Sequence, residues 1–556
     1  MRKWLCMVAC CLSVYVQAQV WTLKEKEPAA PGTWWCFRNT VTLEELPRSL
    51  ELRLAADTKY WLWVNGELQV SEGGLKRGPN PSDTYCDVIT SLPALRAGEN
   101  TVALLVWYFG KDGFSHRNSP TAGISFSLSC DGKEVEPDAK WRVKKHPAYY
   151  VPQGEQPNYR LAESNIGFDA GKDIPFISPD YDDKKWKKAT EISLEKAGWN
   201  QLVDRPIPFW KDYGLKPYAK TEMQGDTLLR AYLPYNAQIT PYIRLKAPAG
   251  KCIRIRTDNY RGGSATNVFA EYRTCEGEQT FECKGWMNGH YVQYELPEGV
   301  EVLDVKYRET GYDTSFAGSF SCDDPMLTRL WDKSQRTLYI TMRDTYMDCP
   351  DRERAQWWGD VVNELGEASY ALDEKAHLLT RKGIHELMGW QRADSTIFAP
   401  VPAGNYKDEL PMQLRYRAMI ESPLTTLWEG WGIGSEGFGG GTYNHAWSGG
   451  PLTILSQHIA GIETLEPAFR TFRVAPHPAH LNFIRTQVPL SGGRRIVFEM
   501  DKSAHNGTMY LRVPEGTSAL VVLPAEFQRW SVNGELKNER QLTLSAGEWH
   551  FEMSEK

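Results

Sequence analysis

From about residue 20 to 205 the chain alternates short apolar and polar runs broken by turn residues. Leu50, Leu52 and Leu54 alternate with Ser49, Glu51 and Arg53, the period of two that sets one face of a strand on a core. Tyr60 to Val64 runs into Asn65-Gly66 and returns through Glu67-Leu68. Asn-Gly between such runs predicts a type I′ hairpin, because both central residues need positive φ. Gly98-Glu99-Asn100 introduces the run Thr101 to Trp107, which predicts a buried strand. The pattern over 19–205 is that of a jelly-roll-like β-sandwich. A second β-rich block, 206–318, includes Cys252 to Arg256 and the turn Arg261-Gly262-Gly263, and predicts a second sandwich. Residues 468–556 are β again, and Val532-Asn533-Gly534-Glu535-Leu536 repeats the pentapeptide at Val64 to Leu68, one hairpin solution used twice.

Between 319 and 467 the period lengthens. Asp323-Asp324-Pro325 is an N-cap followed by proline in the first turn. Leu327, Leu330, Trp331, Ser334, Leu338, Thr341 and Met342 then recur at helical spacing, predicting a helix that ends near Cys349-Pro350. Val361 to Ala371 and Lys375 to Trp390 predict two more. The expected fold class is therefore multidomain α and β, with two N-terminal sandwiches, a helical domain and a C-terminal sandwich.

Residues 1–18 carry Arg2 and Lys3, an apolar run from Trp4 to Val16, and a small residue, Ala18. That is the pattern of a signal peptide and predicts export to the periplasm or beyond. Acylation at Cys10 ranks second, because the apolar run before it is short. No other stretch approaches the length of a membrane span.

Composition narrows the function. With 64 Lys+Arg against 70 Asp+Glu, the chain offers no excess of basic charge for nucleic acid. The 21 Trp, 26 Tyr and 19 Phe exceed ordinary need. Most fit sandwich cores; those beside clustered carboxylates fit flat platforms for sugar rings. Eight cysteines follow residue 18 without C-x-x-C spacing, so no zinc site is predicted. Cys275 and Cys283 are close enough in sequence to pair across a hairpin, although a chain this size does not need a disulfide.

Two clusters carry candidate chemistry. In Asp348-Cys349-Pro350-Asp351-Arg352-Glu353-Arg354-Ala355-Gln356-Trp357-Trp358-Gly359-Asp360, Pro350 stops a helix and leaves acids, arginines and tryptophans on a loop. Arginines hold carboxylates ionised, while an apolar wall raises a carboxyl pKa. The competing reading is a solvated run of ion pairs, which rarely spends two adjacent tryptophans. The second cluster is Thr425-Thr426-Leu427-Trp428-Glu429-Gly430-Trp431-Gly432, followed by Asn444-His445, a carboxylate flanked by indoles. Its competing reading is a helix-end glutamate in an aromatic core. Gly432, Gly434 and Gly437 match a dinucleotide fingerprint in spacing only, since no strand-to-helix unit surrounds them.

The first cluster resembles the signature loop of bacterial inverting α-L-rhamnosidases, the second their other catalytic segment, and Asn444-His445 a downstream substrate-contact motif. The resemblance implies an (α/α)6 barrel that removes terminal α-L-rhamnose from oligosaccharides or glycosides with inversion, with no metal or cofactor. It makes Glu353 the general acid and Glu429 the general base. Asp348, Arg352, Asp360 and His445 would bind the sugar, with Trp357, Trp358, Trp428 and Trp431 as pocket walls. Asp351 stands where the family often carries Gln. An inverting pair needs its carboxyls roughly 6.5–9.5 Å apart with water between.

Length conflicts with this resemblance. Twelve helices of roughly 11–12 residues, with connections of about 5, need on the order of 200 residues. Asp323 to Pro467 supplies 145, and Glu353 and Glu429 are 76 positions apart. The expectation is a shortened barrel with a seam near Met412 to Ser422 and weak or absent activity. The alternatives are a non-catalytic carbohydrate-binding protein and an inverting glycosidase for another sugar.

Overall fold

A computed structural model describes residues 19–22, 29–76, 78–258, 268–391, 400–402, 417–429 and 441–555. Residues 1–18 with Cys10, the turn Arg261-Gly262-Gly263, Trp431, the run Gly432 to Gly437 and positions 412–416 of the expected seam lie outside them. The protein is multidomain, mostly β-sheet with few helices, and contains β-sandwich domains.

In the first sandwich a seven-stranded sheet, including Leu50–Ala56 and Gly123–Cys130, faces a six-stranded sheet that includes Thr33–Leu43, Lys59–Val64 and Gly98–Tyr108. Phe37, Leu52, Leu54, Tyr60, Leu62, Leu104 and Ile124 fill the space between them. Asn65 (φ 52°) and Gly66 (φ 86°) both adopt positive φ at the predicted hairpin, as do Asn533 (φ 49°) and Gly534 (φ 82°). The run at 102–107 is apolar throughout for a simple reason: both faces of its sheet are buried. Trp34, Trp61, Leu105 and Trp107 point away from the sandwich into a second core shared with Ile243, Ile253 and Tyr294.

That second core belongs to a ten-stranded sheet rather than to an independent pair of sheets. Its long strand Leu228–Ala247 bends at an irregularity between Tyr232 and Ala237. The sheets cut across the linear order of the chain. Tyr149–Tyr150 and Ile166–Asp169 lie before residue 205 yet join the ten-stranded sheet, the latter pairing in parallel with Ala270–Arg273. Ser319–Cys322 precedes the helices yet pairs with Phe483–Pro489 in the C-terminal seven-stranded sheet.

Among the described residues three helices exceed two turns: α1 (Pro325–Ile340), α2 (Trp358–Ala371) and α3 (Ala376–Gly389). Asp324 caps α1 by accepting from Met326 N, with Pro325 in the first turn. The helix stops well before Cys349-Pro350, where apolar spacing placed its end. Thr341 Oγ lies within bonding distance of the Thr337 and Leu338 carbonyls, and the side chains two and three positions on, Arg343 and Asp344, are drawn into buried ion pairs. Arg417–Glu421 forms a further short helix inside the expected seam. Cys275 and Cys283 are both free thiols, so the hairpin disulfide is not formed. Among the described residues no helix is long and apolar enough to cross a membrane.

Candidate active site

The loop between α1 and α2 is anchored from below. Lys59 Nζ binds Asp344 Oδ2 at 2.6 Å, and Lys76 N donates to the same oxygen at 2.7 Å. Arg343 grips Glu72 through Nε (3.2 Å) and Nη2 (2.5 Å) and donates to Gln238 at 2.7 Å. Arg354 binds Glu163 (3.3 Å), donates to Pro350 O (2.8 Å) and stacks on Trp286 at 3.5 Å. All these charged groups are buried. Burial pushes the Glu163 carboxyl up, but Lys76 and Arg354 override it and hold the pKa at about 2. The N-terminal sandwich, the segment carrying Glu163 and the ten-stranded sheet thus clamp one loop.

The loop is stapled by Asp348, whose backbone N donates to Ala355 O and whose Oδ1 accepts from Ala355 N, both at 2.9 Å. Arg354 sits at φ 51°, in the left-handed region that non-glycine residues seldom occupy. This turn sends Arg354 down onto Trp286 and leaves Glu353 on the other side, in a different polar environment.

There the two candidate glutamates meet through one arginine. Arg352 Nη2 donates to Glu353 Oε1 at 2.9 Å and to Glu429 Oε1 at 3.3 Å. Glu353 is buried, and its Oε2 accepts from Arg160 Nη1 at 3.0 Å. Since the two Oε1 atoms share one nitrogen, their separation is capped by those bonds laid end to end. That cap falls just below the roughly 6.5–9.5 Å of an inverting pair. The guanidinium of Arg352 stands between them.

Glu429 is fixed from several directions. Its backbone N donates to Thr442 O, and Oε2 accepts from Thr442 N, both at 2.9 Å. His445 lies with Nε2 2.9 Å from Asp360 and Nδ1 3.5 Å from Glu429. Burial lowers the affinity of His445 for its proton, but Glu429 and Asp360 reverse this and raise its pKa to about 10. The imidazolium and Arg352 in turn overcome the burial of Glu429 and hold that carboxyl at about 2. Glu429 is thus ionised at neutral pH, the state a general base requires. Asp348 shows the opposite response: burial and the neighbouring Glu353 push its pKa well above the ordinary range. Asp360 opens α2, where the unpaired amides of the first turn favour an acid.

Other expected site residues separate. Trp357 borders Phe114, ring centroids 6.0 Å apart. Trp358 packs on the core beneath the helices, and Trp428 on a small cluster with Leu330, Met419, Ile420 and Leu427. These two indoles serve packing as much as any pocket. Asp348, Cys349 and His445 place ligand atoms within 4.8 Å of one another. A metal does not fit them, because His445 carries protons toward two carboxylates and burial raises the Cys349 thiol pKa.

Sequence reasoning missed Arg160, which stands in a turn with no motif, and Thr442. It also missed Glu364 and Glu367, which follow Asp360 by four and seven residues on one face of α2. Both are fully buried and carry raised pKa values from burial and Asp360. Helical periodicity alone would have found that acidic stripe.

Residues 315–413 match the bacterial alpha-L-rhamnosidase six-hairpin glycosidase domain, and 461–536 the C-terminal domain of the same proteins. Two stretches of the chain thus match domains of bacterial α-L-rhamnosidases. An alpha-L-rhamnosidase of Formosa agariphila is 22% identical over 376 residues, 61% of this chain but 38% of that protein. The chain thus spans well under half the length of that curated relative. Its fold is that of α-L-rhamnosidase from Dictyoglumus thermophilum (TM-score 0.79, 15% identity, covering 97% of this chain and 86% of that one). It also matches a Streptomyces avermitilis α-L-rhamnosidase solved with L-rhamnose (TM-score 0.75, 14% identity, 94% and 71%). The six-hairpin match stops at 413, at the start of the expected seam, and neither matched region contains Glu429 or His445.

Proposed function

We propose that this protein removes terminal α-L-rhamnose from an oligosaccharide or glycoside by inverting hydrolysis. Glu353 protonates the leaving oxygen, and Glu429 takes a proton from the attacking water. The observation that supports this most is the joining of Glu353 and Glu429, 76 positions apart, through Arg352. An ionised Glu429 beside the His445 imidazolium fits the base. On this reading Asp348, Asp360 and His445 bind hydroxyls, with Trp357 as a wall. The pattern of residues 1–18 supports export as part of the same reading.

A second reading, sugar binding without turnover, draws on the same arginines. Both Glu353 oxygens already accept guanidinium donors, and Arg352 stands where the attacking water belongs. The end of the six-hairpin match at residue 413 favours this reading too. Hydrolysis of an aryl α-L-rhamnoside by the purified protein decides. Turnover abolished by Glu353→Gln and by Glu429→Gln supports the hydrolase; calorimetric binding of rhamnose with no turnover supports the second reading. A panel of other aryl glycosides tests the choice of sugar.

A further inference from the structure

The segment that carries Glu429 is held along its length. Glu429 itself is fixed at Thr442. Two positions earlier, Leu427 N donates to Thr337 Oγ on α1 at 2.9 Å, and Leu427 O accepts from His445 N at 2.9 Å. At Thr425 the support comes from the ten-stranded sheet. Asn236 N donates to Thr425 Oγ at 2.7 Å, and Thr425 N donates to His290 Nε2 at 2.8 Å.

The sheet presents both groups at one break in its ladder. Strand Leu228–Ala247 pairs with Met287–Glu295 as Tyr232 opposite Tyr291 and next as Ala237 opposite Gly289, so the irregularity lies across from His290. There the Asn236 N–H leaves the ladder for Thr425. His290 is buried, and its ring is held by the buried Asp258, which follows strand Cys252–Thr257. Asp258 Oδ1 accepts from His290 N at 2.7 Å and from Tyr291 N at 3.2 Å, and Oδ2 lies 3.2 Å from Nδ1. Gly289 leaves room for this carboxylate: a Cβ there would stand 2.5 Å from Oδ1.

These contacts fix the proton on the ring. A backbone N–H only donates, so Nε2 must offer its lone pair to Thr425. The ring proton then sits on Nδ1 and points at Asp258 Oδ2. Which imidazole nitrogen carries the proton is set by the partner of the other. Resting on the reading of Glu429 as the base, we propose that Asp258 and His290 are positioning residues for it. The carboxylate selects the imidazole tautomer that accepts from Thr425 N–H, and that bond ties the segment leading to Glu429 onto the sheet. A neutral acceptor in the place of Nε2 serves this purpose, and a donor there defeats it.

Asp258→Asn is the sharpest variant. Two backbone amides hold the oxygen at Oδ1, so the new amide NH2 faces His290 Nδ1, moves the ring proton to Nε2 and sets it against Thr425 N–H. His290→Leu removes the acceptor, and His290→Gln returns one. Deuterium exchange of peptides spanning 425–429, read by mass spectrometry, should quicken at least about tenfold in Asp258→Asn and His290→Leu and recover in His290→Gln. On an aryl α-L-rhamnoside, kcat should fall at least about tenfold in the first two with KM within about twofold, and His290→Gln should restore it. The nitrogen spectrum of 15N-histidine-labelled wild-type protein, in which His290→Gln identifies the His290 signals, should show the proton on Nδ1. A proton on Nε2, unchanged exchange in Asp258→Asn, or no recovery in His290→Gln overturns the tautomer assignment. An unchanged kcat in Asp258→Asn overturns the positioning role. Absence of wild-type turnover removes the hydrolase reading and leaves exchange and the nitrogen spectrum to decide the link between Asp258, His290 and Thr425.

Discussion

Two buried sets of charges lie on opposite sides of the 348–355 loop, and they differ in how completely they are paired. Below the loop, Lys59, Glu72, Lys76, Arg343, Asp344 and Arg354 find partners almost atom for atom; Glu163 Oε2 is an exception. On the site side, Asp348 Oδ2, Arg352 Nε, Glu364 Oε2, both carboxyl oxygens of Glu367 and both amide atoms of Asn444 have no hydrogen-bond partner among the described residues. A satisfied buried network holds a loop in one place. A row of unsatisfied polar groups costs stability and persists where something else uses it. The left-handed Arg354 is the hinge between the two sets, directing one side chain into each environment.

The largest effect follows from opening the lower set. Asp344→Ala strands the buried Lys59 ammonium and the Lys76 backbone N–H, and unfolding in urea should show a loss of about 3–5 kcal/mol, since removing one member of a buried pair leaves an uncompensated charge. On the site side, Glu429→Gln should lower kcat for an aryl rhamnoside by about 10²–10⁴ while moving the urea midpoint far less than Asp344→Ala does. If the two variants lose stability equally, the division between the sets is wrong.

The pH dependence sharpens the contrast, because the paired Glu163 and the poorly paired Glu364 and Glu367 titrate with opposite sign. Glu163, held at about 2, contributes stability above the ordinary carboxylate pKa that is lost as pH falls toward 2. Glu364 and Glu367 have raised pKa values, so the unfolded chain gives up their protons first, and stability falls as pH rises above the ordinary carboxylate pKa. His445 contributes below its ordinary pKa, and that contribution is lost as pH rises through about 10. Melting temperature against pH should show Glu163→Gln flattening the acid limb and Glu367→Gln flattening the alkaline limb. The smallest effect is Glu367→Gln itself, a gain in stability at pH 8 that shrinks at pH 5.

Much of this was legible in the chain because short-range rules governed it. Asn65-Gly66 and Asn533-Gly534 announce their turns, Asp324-Pro325 announces α1, and the motif loop announces an acid beside arginines. What stayed hidden was long-range. Nothing near Asp344 shows that Lys59 and Lys76 will bind it, so the early end of α1 was not readable. Nothing near Tyr159-Arg160 shows that it will reach Glu353 across 193 positions. Trp358 and Trp428 hid a second role: beside carboxylates they read as pocket walls, and they also pack on the clusters beneath the site. The linear domain order also concealed that Ile166–Asp169 and Ser319–Cys322 pair with sheets built largely from residues beyond them.

The central claim is that Glu353 and Glu429, joined by Arg352, work as an acid and a base on opposite sides of a rhamnosidic bond. Proton NMR of an aryl α-L-rhamnoside during its first turnovers tests it most directly. The account predicts β-L-rhamnose as the initial product, with the α anomer appearing only later by mutarotation. Initial release of α-L-rhamnose, or a substrate signal unchanged over long incubation, would contradict it.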